Sequence, residues 1–242
     1  MTALVPISFA GEAMLLDPAG ALVWPARRLL CVADLHLEKG SHFAARGRGL
    51  PPPYDTRETL DRLVPLIRRH RPARLVLLGD SFHDSDGAAR LAPDDLARLG
   101  TLCVESEIVW VLGNHDPAPP AGLPGQAVEE WREGPVAFRH IGGGGGHEVS
   151  GHFHPKAGAP TRAGILRRPC FVADARRVLL PAFGAYTGGL DVADPAIAAL
   201  FPHGARLHLL GRGRLHAFPY RSGRAEPAED AQASLFSEAS GG

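Results

Sequence analysis

Three short apolar runs, residues 29–33, 75–78 and 108–112, each end abruptly in a polar block carrying His, Asp or Asn. Runs this short and this uniformly apolar predict strands covered on both faces. Between the first two, Leu60, Leu63, Leu66 and Ile67 recur at helical spacing, and Asp55 or Thr56 is placed to cap a helix running to about His70. Pro93-Asp-Asp opens a second helix before the third run. Residues 4–24 alternate apolar stretches with Gly11-Glu12 and Asp17-Pro-Ala-Gly20, a pattern that predicts an edge hairpin. After Gly113 the pattern turns to short strands near 127–131, 136–140, 148–150, 170–173 and 178–180, with a terminal pair near 206–218. Strand–helix alternation followed by a series of strands predicts an α/β fold: an αββα sandwich, two β-sheets flanked by helices.

A chain of 242 residues that is 45% hydrophobic can bury one substantial core, so residues 1–220 are expected to form a single domain. Residues 221–242, rich in Ala, Glu, Ser and Gly, read as a disordered tail. The formal net charge is zero, which excludes a whole-protein basic field of the kind that drives nonspecific nucleic-acid binding. Any affinity for DNA must be local. Lys39 and Lys156 are the only lysines amid abundant arginine, a bias that a GC-rich genome explains without invoking phosphate recognition. Cys31, Cys103 and Cys170 lie in apolar contexts with no paired spacing, as expected of buried thiols in a reducing compartment. With no basic leader and no apolar run near the roughly 20 residues of a membrane span, the expected location is the cytoplasm, with no membrane partner.

The polar blocks carry the chemistry. Asp34-Leu-His36, Gly79-Asp80, Gly113-Asn-His-Asp116 and Gly151-His-Phe-His154 follow one another in order, the first three at predicted strand ends. These are the ligand types of a two-cation centre, in which metals about 3.5–4 Å apart activate a water and neutralise a phosphoryl group during in-line displacement. The mixed N/O donor set suits Mn, Fe or Zn.

In order and wording the blocks resemble the calcineurin-like metallophosphoesterase superfamily, whose motifs are D-x-H, GD, GNH(D/E), a lone His and GHxH. A closer resemblance covers nearly the whole chain. Asp34-Leu-His-Leu-Glu-Lys-Gly40, Gly49-Leu-Pro-Pro-Pro-Tyr-Asp55, Leu78-Gly-Asp-Ser-Phe-His-Asp84, Gly151-His-Phe-His-Pro155 and Leu180-Pro-Ala-Phe-Gly-Ala-Tyr-Thr-Gly-Gly189 are similar to the ligase-associated DNA damage response endonucleases of the PdeM type. That resemblance implies a manganese-dependent phosphodiesterase and DNA endonuclease of bacterial repair, functionally associated with a DNA ligase and a helicase. The superfamily pattern further implies that Asp34, His36, Asp80 and His154 hold one metal. Asp80, Asn114, His140 and His152 would hold the other, with Asp80 shared.

His115 is the expected general acid, with Asp116 holding its ring in the useful tautomer. Two residues compete for the lone-His role, since His140 and His147 both precede Gly151; strand-end placement favours His140. Lys39, Ser41, Arg46 and Arg48 lie just beyond the first metal loop and are candidates for substrate backbone contacts, although a solvated loop also explains them. For His83 a role beside the metals or on the substrate is expected. In the tail, Gln232-Ala-Ser-Leu-Phe236 looks like the pentapeptide with which bacterial repair proteins dock on the sliding clamp, Gln232, Leu235 and Phe236 being the anchors; matches this short also arise by chance. The rival readings are a small-molecule phosphodiesterase or phosphatase on the same fold and a scaffold without catalysis. Retention of His115 and of every ligand type argues against the scaffold.

Overall fold

Both faces of the three apolar runs are covered, as their unbroken hydrophobicity requires. In a computed structural model describing residues 3–47, 54–118, 120, 122–161 and 164–221, the runs lie at the centre of a seven-stranded sheet. Its strands follow chain order: β1 (Val5–Phe9), β2 (Glu12–Asp17), β3 (Ala21–Trp24), β4 (Leu29–Ala33), β5 (Arg74–Leu78), β6 (Glu107–Val111) and β7 (Gln126–Val128). Pairing is antiparallel from β1 to β4 and parallel from β4 to β7. The hairpin expected over residues 4–24 is thus the beginning of a meander.

A second sheet holds β8 (Glu130–Glu133), β9 (Val136–Arg139), β10 (His147–Ser150), β12 (Gly164–Ala173), β13 (Arg177–Leu179), β14 (Ala205–Leu210) and β15 (Leu215–Tyr220), with β11 (Lys156–Thr161) paired to β12. The apolar stretch 127–131, read as one strand, is divided. β7 completes the first sheet and β8 starts the second.

Leu29, Cys31 and Ala33 of β4 face the second sheet, against residues such as Phe138, Val149 and Phe171, whereas Leu30 and Val32 face helices. Those helices are α2 (Asp55–His70), which presents Leu60, Leu63, Leu66 and Ile67 as expected, and α4 (Pro93–Glu105); α1 (Lys39–Ala45) and α3 (Gly87–Arg90) are shorter. On the far side, Ile197 of α5 (Pro195–Ala198) packs with Val172, Leu179 and Leu207 of the second sheet. The architecture is therefore two sheets flanked by helices. No helix among the described residues is long and apolar enough to cross a membrane. Cys31 and Cys170 are buried and Cys103 half-buried, all three as free thiols.

One local expectation is corrected. Tyr54, not Asp55 or Thr56, occupies the cap position of α2 and makes no capping bond through its side chain. Asp55 and Thr56 sit inside the first turn and reach across to α1. Asp55 Oδ2 accepts from the backbone amides of Lys39 (2.8 Å) and Gly40 (3.1 Å), and Thr56 Oγ1 accepts from that of Glu38 (2.8 Å). They cap a neighbouring helix and so fix the segment that follows Asp34 and His36.

Candidate metal centre

Parallel pairing puts the carboxyl ends of β4, β5 and β6 on one edge, the place where open α/β sheets gather ligands. Asp34 and His36 follow β4, Asp80 follows β5 and Asn114 follows β6. In the second sheet β9 and β10 are also parallel, so His140 and His152 leave their strands in the same direction. The local backbone is unusual: Asp34, His36, Asp80, His152 and His154 all have φ between 43° and 74°. Left-handed conformations at non-glycine residues cost energy and cluster where side chains must be aimed. The motif glycines make room for the aimed groups. A Cβ at Gly79 would lie 2.1 Å from His140 Nδ1, one at Gly113 2.2 Å from Asp80 Oδ1, and one at Gly151 2.5 Å from Asp34 Oδ2.

Two donor clusters result. In the first, His36 Nε2 and His154 Nε2 approach to 3.3 Å, with His154 Nε2 3.3 Å from Asp34 Oδ1. In the second, His140 Nε2 lies 3.3 Å from Asp80 Oδ2, 2.9 Å from Asn114 Oδ1 and 3.1 Å from His152 Nδ1. Asp80 Oδ2 also stands 3.8 Å from His36 Nε2, which places this carboxylate between the clusters.

These residues fit divalent cations. Asp34 and Asp80 are buried together, and burying uncompensated carboxylates costs several kcal/mol each. Paired imidazole nitrogens facing each other among carboxylate oxygens are donors converging on a positive charge. Burial, then the nearby His154, hold His36 neutral, down to about 3 even beside Asp80, so its lone pair is available. Burial opposes a charge on His140, but its hydrogen bond to Asp80 and the Asp34 carboxylate outweigh that and raise its proton affinity. Asp80 shows the complementary effect: burial would raise its pKa, yet the His140 hydrogen bond and charge bring it down to about 2.

His140 lies in the second cluster, whereas the His147 ring packs edge-on against Phe9, 5.6 Å between centroids. Alanine at His140 is therefore expected to lower metal affinity by more than about a hundredfold, beyond the 10–100-fold typical of residues that only orient ligands. His147→Ala is expected to leave metal affinity near that of the wild type. Because a cation must displace the His140 proton, wild-type affinity is expected to fall as pH drops. Calorimetric manganese titrations at several pH values check both points, and the reverse order of the two variants would move the ligand to His147.

His115 is exposed beside the first cluster, its ring centroid 5.1 Å from those of His36 and His83, stacked on the latter at 19°. Its backbone amide donates to Asp80 Oδ1 (2.9 Å), and its Nδ1 meets the His83 carbonyl oxygen at 3.0 Å. The expected role of Asp116 is corrected here. Its carboxylate turns inward, accepting from the amides of Phe82 and Gly113, both at 3.1 Å, and the His83 carbonyl takes the place expected of it against the ring. Burial raises the Asp116 carboxyl to about 6 despite those amide bonds.

The remaining expected residues scatter in role. The Ser41 hydroxyl donates to the Glu38 carbonyl (3.0 Å) and accepts from Arg90 Nε (3.1 Å). Arg46 lies against the His42 ring, and Asp84 ties His42 to Arg90. Half-buried His83 joins His36 and His115 in a third His group, and burial followed by the His115 and His42 charges holds it down to about 4. Lys39 Nζ donates to the Tyr186 carbonyl at 3.1 Å; burial lowers its pKa first, and Lys156 adds to the effect against Asp55. Arg48, most of the 49–55 segment and the tail residues Gln232, Leu235 and Phe236 lie outside the described residues. Lys156, noted in the sequence only as one of two lysines and not as a site residue, stands two residues beyond His154; that adjacency was the available signal.

Two sheets meeting at clustered His, Asp and Asn donors define a metal-dependent phosphoesterase, and residues 27–180 match the calcineurin-like phosphoesterase family, to which the chain belongs. Among solved structures the chain is similar to the Pseudomonas putida nuclease MPE, at 33% identity over 89% of this chain and 100% of that one, with a TM-score of 0.68. A phosphoesterase from E. coli, Yfce, matches at 14% identity over 80% of this chain and 99% of that one, with a TM-score of 0.39. No curated protein matches the sequence.

Proposed function

We propose that the protein is a two-metal phosphodiesterase that cuts DNA internally, acting in bacterial repair with manganese as the favoured metal. The observation that carries this reading is the pair of donor clusters joined by Asp80, in a chain that spans the full length of a nuclease at 33% identity. The resemblance of the Asp34–Gly40 and Leu180–Gly189 stretches to damage-response endonucleases supports manganese, repair and an association with ligase and helicase. Residues 1–220 would form the catalytic domain.

In this reading Asp34, His36, Asp80 and His154 hold one cation, and Asp80, Asn114, His140 and His152 the other. When bound, such cations polarise phosphoryl oxygens and lower the pKa of water. The rest is work for the chain's own groups. Shared Asp80 offsets repulsion between the two positive charges and, through its other oxygen, positions the His115 backbone. With Nδ1–H donated to the His83 carbonyl, the protonated His115 ring presents Nε2–H from an exposed position, ready to protonate a leaving alkoxide. His83, stacked on that ring, limits its rotation.

A covalently closed circular DNA has no ends and so separates internal cutting from end digestion. Manganese-supplied enzyme is expected to nick or linearise it, as read on an agarose gel. Survival of the circle alongside rapid turnover of cyclic nucleotides or small phosphomonoesters would replace this reading with the small-molecule one.

A further inference from the structure

The chain's only two lysines converge on one loop. Lys39 opens α1 three residues past His36, and Lys156 opens β11 two residues past His154. Their ammonium groups donate to consecutive carbonyls, Lys39 Nζ to Tyr186 (3.1 Å) and Lys156 Nζ to Thr187 (3.2 Å).

That loop is held against both metal loops. The Gly184 amide donates to the Asp34 carbonyl (3.0 Å), and a Cβ at Gly184 would lie 2.0 Å from the Leu35 oxygen. At its other end, a Cβ at Gly189 would lie 2.1 Å from the His154 oxygen and 3.0 Å from Lys156 Cε. Inside it, Thr187 Oγ1 donates to the Gly184 carbonyl and Thr59 Oγ1 accepts from the Ala185 amide. Tyr186, at its crown, is exposed and adopts φ 57°.

Neither ammonium is ion-paired with a carboxylate among the described residues. Asp55 Oδ2 is engaged with the amides of Lys39 and Gly40 instead. Each ammonium has three donors, so each keeps hydrogen-bonding capacity beyond its carbonyl. Both ammonium groups reach the same two-residue stretch, so an anion lying between them would be attracted to both. A scissile phosphate has to lie against the donor clusters and His115, whereas both ammonium groups turn to the Tyr186 and Thr187 carbonyls, from elements that open just past His36 and His154. The pair is thus placed for a different phosphate.

We propose that Lys39 and Lys156 form a subsite for a non-scissile phosphate of a polynucleotide, adjacent along the strand to the phosphodiester being cleaved. The subsite rests on the nucleic-acid reading above and gives it a physical basis in a chain of zero net charge. Lysine suits the task because a compact ammonium can keep one donor on a carbonyl and turn the others to an oxyanion, whereas the planar guanidinium fork is less adaptable.

The test compares full-length wild type with Lys156→Gln, Lys39→Gln and Lys156→Arg on a fluorescent oligonucleotide and on bis(p-nitrophenyl) phosphate, which has a single phosphate. Oligonucleotide binding is read by anisotropy in metal-free buffer across a salt series, and cleavage with manganese. Each glutamine variant is expected to weaken oligonucleotide binding about tenfold, the scale of one charge-assisted hydrogen bond, and to flatten the log-log salt slope by roughly 0.7–0.9. Oligonucleotide kcat/KM is expected to fall about tenfold more than that for bis(p-nitrophenyl) phosphate, and Lys156→Arg to recover most of the binding. Equal losses on both substrates with an unchanged slope, or no loss on the oligonucleotide, would overturn the subsite while leaving DNA cleavage standing. Wild-type protein that hydrolyses bis(p-nitrophenyl) phosphate yet neither binds nor cuts the oligonucleotide would overturn both.

Discussion

Replacement of Asp80 by alanine is expected to abolish stoichiometric metal binding and to reduce phosphodiester hydrolysis by at least about a thousandfold, the upper scale for removing one group that stabilises developing charge. Three roles end together. Asp80 Oδ2 stands between His36 and His140, its Oδ1 receives the His115 amide, and Gly113 packs directly over that oxygen. The fold is expected to persist, because the substitution removes a buried charge and leaves the apolar layers around β5 intact. Asp80→Asn sharpens the test, since its amide oxygen can still accept from His115 while the charge is gone. Metal analysis and turnover measured on the same preparations decide the matter; full occupancy by two cations, or near-normal turnover, would remove Asp80 from the shared position.

For His115→Ala the expected outcome depends on the leaving group. General acid catalysis typically contributes 10²–10⁴-fold, and only a poor leaving group needs it. A sugar alkoxide departs slowly unless protonated, whereas a nitrophenolate leaves readily as the anion. The variant is therefore expected to lose at least about a hundredfold more activity on an oligonucleotide than on a nitrophenyl ester. Its metal content should match the wild type, because the ring is in neither of the two clusters that Asp80 joins, the third group of His36, His83 and His115 has no carboxylate, and only its backbone amide supports Asp80. Equal losses on the two substrates would argue against proton delivery and for a role in orienting phosphate.

What the sequence makes legible here is whatever leaves a local trace. β4, β5 and β6 are buried on both faces, so each is a continuous apolar run, and each ends where a donor must be displayed. The glycines before Asp80, Asn114 and His152 are visible as motif letters, although only the packed structure shows that they clear space for His140, Asp80 and Asp34. Other features leave no such trace. β11 and the start of β12 read Lys-Ala-Gly-Ala-Pro-Thr and Gly-Ile-Leu-Arg-Arg, with too little alternation to announce the antiparallel pair they form. Asp55 and Thr56 resemble caps for their own helix, but the nearby amides of α1 offer them better partners. Asp116 looks like an orienting carboxylate because it adjoins His115, yet the tight turn after β6 aims it at the Phe82 and Gly113 amides. The lysine pair is the extreme case. Lysine scarcity reads as composition until residues 39, 156 and 186–187 are brought together by the fold.

The division of donors between the sheets has a consequence for the chain as a polymer. Asp34, His36, Asp80 and Asn114 hang from the first sheet, and His140, His152 and His154 from the second; His36 and His154 are 118 residues apart in sequence. A cation gripped by both groups would be a cross-link between the two halves of the sandwich, closing a long loop much as a disulfide does. The entropy of loop closure grows with loop length, so such a clasp restricts the unfolded chain far more than ligands drawn from one hairpin could. Chelation would then unfasten a seam as well as stop a reaction, and with both sites filled the protein's resistance to unfolding would depend on the same ions as its chemistry.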